Sequence, residues 1–188
     1  KTVAKLWMGT SLTFLAVTVV LFALTRVQLI VPDSTIIVPE VFNRILTATS
    51  VTAIVLFAVP FMIGLIGYIV PLQIGARSVA LPRLNQFGYW LYAAGAFMIY
   101  ASFLYTAPES GTISLPPLSD AVFAPTKGTD AWIAGTALAT LGFVCFAINL
   151  VVTLNRLRAP GVAWRRMPLF AWAATVIGWL LVVIGPVM

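Results

Sequence analysis

Five apolar runs, each long enough to cross a lipid bilayer, make up most of this chain. They cover roughly residues 6–25, 45–70, 87–105, 131–154 and 169–187. A helix needs about 20 mainly apolar residues to span about 30 Å of hydrocarbon. Inside hydrocarbon every backbone N–H and C=O must find a partner within the protein, so apolar runs of this length fold as helices. Charge is scarce: 9% of the 188 residues are charged and 61% are hydrophobic, against roughly 25% charged in soluble domains. The expected fold is therefore all-α: one integral membrane domain over residues 1–188, a five-transmembrane-helix bundle. Pro60, Gly64 and Gly67 fall inside the second run, where neighbouring helices can satisfy the freed backbone groups. The first run is too long for a signal-peptide core. The longest connection, residues 106–130, is rich in proline and glycine and is read as a loop.

The net charge of +6 would suggest a nucleic-acid partner in a soluble protein. Here the basic residues lie in short segments between apolar runs, and no basic groove or nucleic-acid motif accompanies them. Lys1 and Lys5 precede the first run, Arg77 and Arg83 follow the second, and Arg156, Arg158, Arg165 and Arg166 follow the fourth. All five acids (Asp33, Glu40, Glu109, Asp120, Asp130) lie in the first and third connections. By the positive-inside rule the N-terminus is cytoplasmic and the fifth run ends outside. An integral membrane location is expected, with lipids and other membrane subunits as partners.

No cluster of catalytic side chains stands out. The spans carry essentially no ionisable group, which argues against an ion carrier built from these helices alone. There is one cysteine, Cys145, and no histidine, so neither an internal disulfide nor a zinc site is expected. Thr47, Thr49, Ser50 and Thr52 form a hydroxyl cluster in the second run, a pattern that more often joins helices than binds a ligand. Met8, Met62, Met98 and Met167 are read as packing residues rather than haem ligands. Trp90, Trp132, Trp164 and Trp172 lie near run ends and read as an interfacial belt.

Three segments carry more information. Tyr68 to Arg77 reads YIVPLQIGAR and leads to ALPRLN at Ala80 to Asn85. Ile148 to Thr153 reads INLVVT and leads to LRAPG at Leu157 to Gly161; RMPLFAW follows at Arg166 to Trp172. With RVQL at Arg26 to Leu29 and PPLS at Pro116 to Ser119, in this order and spacing, the chain resembles subunit I of the haem-copper terminal oxidases, the cytochrome c and quinol oxidases. The likeness runs over essentially the whole chain and corresponds to the first five of that family's twelve helices. In the family, subunit I holds two haems and a copper ion, reduces oxygen and pumps protons, with histidines as metal ligands.

The resemblance also exposes departures. The family carries a His-Gly-Thr sequence early in helix two, whose His binds the low-spin haem; here that position is Thr49, followed by Ser50 and Val51. A hydroxyl is no substitute for imidazole as a strong axial ligand. An acid at the mouth of the family's proton channel is replaced by Ser78, and a channel asparagine by Gly67. Thr112 and Leu115 stand where the family has Trp and Tyr. Asn85 and Asn155 match channel-entry asparagines, and Arg26 matches an arginine that faces a haem substituent. The expectation is a chain with no catalytic residues, no metal site and no cofactor of its own, haem entering only through an unusual ligand or the rest of a subunit. It would serve as a non-catalytic accessory or structural subunit of a respiratory electron-transfer complex. One alternative is the N-terminal piece of a split or longer oxidase subunit I taking part in oxygen reduction. Another is a lipid- or quinone-binding module with an apolar groove between helices two and four.

Overall fold

A computed structural model describes residues 2–28, 30, 37–105 and 127–187. Among these residues five helices form: α1 (Thr2–Gln28), α2 (Pro39–Gln73), α3 (Pro82–Tyr105), α4 (Lys127–Arg156) and α5 (Leu169–Ile184). Short 3-10 turns cover Trp164–Arg166 and Gly185–Val187. Three of the helices, α1, α2 and α4 from Gly128, are long and apolar enough to cross a membrane. The 24 residues of α3 reach about 36 Å at 1.5 Å per residue, but its tyrosines lower its hydropathy. The 16 residues of α5 fall short of the usual spanning length.

Helices extend past the apolar runs because proline placement and charges matched to the helix dipole favour helix where hydropathy does not. Pro39 opens α2 at its first helical position, where a missing N–H costs nothing. Glu40 and Asp130 sit in the first turns of α2 and α4, and Arg26 and Arg156 in the last turns of α1 and α4, all complementing the helix dipole. Residues 127–130, expected in a loop, thus belong to α4. Likewise the 71–86 gap between the second and third runs shrinks to the residues between Gln73 and Pro82.

The middle of α2 is a π-helical segment, Thr52–Ala58, closed by a Val59 N–H to Ile54 O bond. Pro60 accounts for it. A proline has no N–H for the carbonyl four residues back and its ring crowds that carbonyl, here Leu56 O. A π turn relieves the crowding. Tyr92 on α3 then donates its hydroxyl to Leu56 O at 2.8 Å, so a buried carbonyl that Pro60 cannot serve is satisfied across the helix interface.

Packing centres on two contacts. Trp7 of α1 is 1% exposed and stacks on Tyr92 at 4.7 Å, with Tyr89 edge-on at 5.6 Å. The closest helix pair is α3–α4. A methyl built on Gly95 would come 2.6 Å from Gly135 O, and one on Gly142 would come 2.5 Å from Gly88 O. Gly88 and Gly95 thus face Gly142 and Gly135, an antiparallel seam where only hydrogen fits between backbones. Gly178 of α5 faces α4 less tightly: a methyl there would meet the Val151 and Leu150 side chains at 3.2 and 3.4 Å.

Candidate functional site

The main segments of the family resemblance, YIVPLQIGAR with ALPRLN and INLVVT with LRAPG, meet at one end of the bundle. The α2–α3 turn passes Gly75, whose φ of +72° suits glycine, and Ile74 O accepts the Ala159 N–H at 3.0 Å. YIVPLQIGAR is thereby pinned to LRAPG. Ahead of α3, the Ala80 N–H donates to Thr153 Oγ1 and the Leu81 N–H to Asn149 Oδ1, both at 2.9 Å. Two side chains of INLVVT therefore serve backbone donors of ALPRLN, which precede the helix and would otherwise be unpaired. Thr153 Oγ1–H donates in turn to Asn149 O at 2.6 Å. Met167 of RMPLFAW is buried beneath this layer.

Not all the buried amides in this layer are satisfied. Asn85 and Asn149 are 7% and 1% exposed. Among the described residues, Asn85 Oδ1, Asn149 Nδ2 and Gln73 Oε1 have no hydrogen-bond partner. An acceptor and a donor left open at the same end of the α3–α4 pair make a polar site of the kind that holds ordered water. Asn85 was expected from the sequence; Asn149 and Thr153 were not. Their signal was the spacing of four, which places both on one helix face. Asn155 lies apart: it is exposed and donates Nδ2–H to Val151 O on its own helix. Ser78 is exposed in the α2–α3 turn. Gly67 faces Phe146, whose ring edge a methyl there would meet at 3.1 Å, so an asparagine at 67 would displace it.

Thr49 sits in the first half of α2, 7% exposed, and donates to Ile45 O at 2.7 Å. Thr47 and Ser50 do the same to Asn43 O and Leu46 O. Thr52 donates to Ala48 O at 2.7 Å and is 2.8 Å from Tyr100 OH; with its single proton committed, Thr52 accepts from Tyr100. Only this last hydroxyl joins two helices, so the cluster mostly turns inward on its own helix. The residues present do not fit an axially ligated haem at this point of α2: the position offers a committed hydroxyl, and the chain has no histidine. Among the described residues no three His, Cys, Asp or Glu side chains converge as a metal site. Arg26 is exposed at the end of α1, its guanidinium 4.6 Å from the Phe22 ring centroid.

Two concavities accompany these residues. An open, mainly apolar groove of about 370 Å³ runs between α1 and α3, lined by Thr10, Phe14, Ala96, Phe97 and Tyr100; the sequence pointed to α2 and α4 instead. A second hollow of about 390 Å³ lies at the α4–α5 turn, around Asn155, Arg156 and Arg158. Of the tryptophans read as an interfacial belt, Trp90 and Trp172 are exposed. Trp132 is not: it is 5% exposed and belongs to the core, because the end of α4 that carries it packs on α3. Residues 112, 115 and 116–119 lie outside the described residues.

Comparison with known proteins gives the same lineage. Residues 2–188 match the family of cytochrome c and quinol oxidase polypeptide I. A probable cytochrome c oxidase subunit 1-alpha of Streptomyces avermitilis is 38% identical over all of this chain and 33% of its own length. Cytochrome c oxidase subunit 1 of Corynebacterium glutamicum is 38% identical over 88% of this chain and 29% of its own. Heme-copper oxidase subunit I+III of Aeropyrum pernix is 38% identical over 92% and 22%. The chain spans about a third or less of the length of these relatives. It belongs to the cytochrome c and quinol oxidase polypeptide I family and corresponds to the N-terminal part of that membrane protein.

Proposed function

We propose that this chain is a helical scaffold of a subunit I-type membrane assembly and does not itself ligate the low-spin haem. The observation that carries this reading is Thr49, a buried hydroxyl bonded to Ile45 O at the position where the resemblance calls for a ligand. Away from it, at the other end of α2, the architecture-setting segments hydrogen-bond to one another, while Ser78 and Gly67 replace the family's proton-handling side chains. In this reading all five helices span the bilayer of a bacterial plasma membrane. The arginine-rich turns lie in the cytoplasm, and other membrane subunits of an electron-transfer complex cover the exposed apolar faces.

A second reading has support of its own. The relatives are about three times as long as this chain, so the same five helices would open a longer subunit whose later helices hold the histidines and take part in oxygen reduction. Intact-mass analysis of the native assembly separates the two. The scaffold reading expects a chain of about the 20.2 kDa given by these residues beside a separate histidine-rich chain. A single chain of several times that mass, with further histidine-bearing helices, would overturn it in favour of the second.

A further inference from the structure

We propose that the α4–α5 turn binds the head group of an anionic phospholipid. The hollow of about 390 Å³ there is lined by Asn155, Arg156, Arg158, Gly161 and Val162. Gly161, at a φ of +97°, turns the chain so that the two arginines border one concavity. Arg158 is held in place: its guanidinium lies 4.3 Å from the Trp164 ring centroid. Trp164 packs on Trp172 at 5.3 Å, and the Trp172 Nε1–H donates to Trp164 O at 2.9 Å.

Among the described residues the hollow's charge has no acidic partner: no carboxylate forms an ion pair with Arg156 or Arg158. The acid in α4, Asp130, is 26 residues from Arg156, about 39 Å along the helix axis. Two guanidinium groups without an acidic partner among these residues complement a phosphate diester, which they can bind through paired hydrogen bonds.

The surroundings favour a lipid over a free anion. The apolar span of α4 ends at Arg156, which puts the hollow at head-group depth, and tryptophan pairs of this kind belong to that layer. Below the turn, Leu169, Trp172 and Val176 are 86%, 41% and 53% exposed. Their spacing of three and four gives one face of α5, an apolar strip continuous with the Trp164–Trp172 pair along which acyl chains can lie. Basic pockets between membrane helices recognise anionic head groups in this way.

The test is native mass spectrometry of the intact assembly in detergent, titrated with phosphatidylglycerol and with phosphatidylcholine of the same acyl chains. Phosphatidylglycerol is expected to be retained preferentially, and an equal concentration of inorganic phosphate is expected not to displace it. The double variant Arg156→Gln/Arg158→Gln should weaken retention about tenfold or more, and Arg156→Lys/Arg158→Lys, which keeps the charge but loses the paired hydrogen bonds, should weaken it less. Equal retention of the two lipids, displacement by phosphate, or an unchanged glutamine variant would each overturn the proposal. The head-group comparison uses unaltered protein, so it decides the matter even if the glutamine variant does not assemble.

Discussion

Thr49 shows how one residue can be legible in sequence and still need the structure to be understood. Its place in the second apolar run, and its mismatch with the family, follow from the sequence. That its hydroxyl is committed to Ile45 O does not, because a threonine in a helix can also point its hydroxyl across an interface. The Leu56 carbonyl is the opposite case: nothing in the sequence links Pro60 to Tyr92, 32 positions away. We expect Tyr92→Phe to destabilise the solubilised assembly by about 1–3 kcal/mol, the usual penalty for an orphaned buried acceptor. Pro60→Ala restores an N–H for Leu56 O, so Tyr92→Phe should cost clearly less in that background, read from thermal unfolding of the four proteins of the cycle. Purely additive effects would show that Pro60 does not create the need for Tyr92. Asn149→Leu and Thr153→Val should free the Ala80 and Leu81 N–H groups and expose the α2–α3 turn; limited trypsin digestion after Arg77 or Arg83 would then quicken.

At the scale of helices, hydropathy located all five elements but not their ends. Pro39 and Lys127 start α2 and α4 several residues before the apolar runs, since helix termini obey proline-placement and dipole effects that hydropathy does not register. The α3–α4 seam was not legible. Gly88 and Gly95 recur at seven, as do Gly135 and Gly142, but a spacing of glycines does not say which helix lies opposite. Once the antiparallel contact is seen, the consequence is sharp. Gly95→Leu places four carbons where even a methyl comes 2.6 Å from Gly135 O, and α3 and α4 must separate. The expected result is a loss of at least about 3 kcal/mol or failure to assemble, visible as loss of the folded band in detergent gel filtration. Gly9→Leu, at a glycine with open space around it, should leave the elution unchanged.

For the molecule as a whole, the main resemblance segments, those around the α2–α3 and α4–α5 turns, form one structural layer. Ile74, Ala80, Leu81, Asn149, Thr153 and Ala159 tie two turns to one helix, which gives the physical reason such segments can persist without redox chemistry: they set the helix register. The sequence carried this layer only as separate strings, because hydrogen bonds between residues about 70 positions apart have no local signature. The broad apolar faces of α1 and α5, with Val19, Val20, Leu169 and Val183 all more than half exposed, need lipid or companion helices to cover them. The central claim is that this scaffold does not hold a haem through α2. Its most direct test is the low-spin haem absorbance and haem iron content of the native assembly, measured for the unaltered protein and for Thr49→Ala. The account predicts identical spectra and haem content for the two. A loss of low-spin haem in Thr49→Ala would mean that α2 does hold the cofactor, through Thr49 or the packing around it, and would contradict the account.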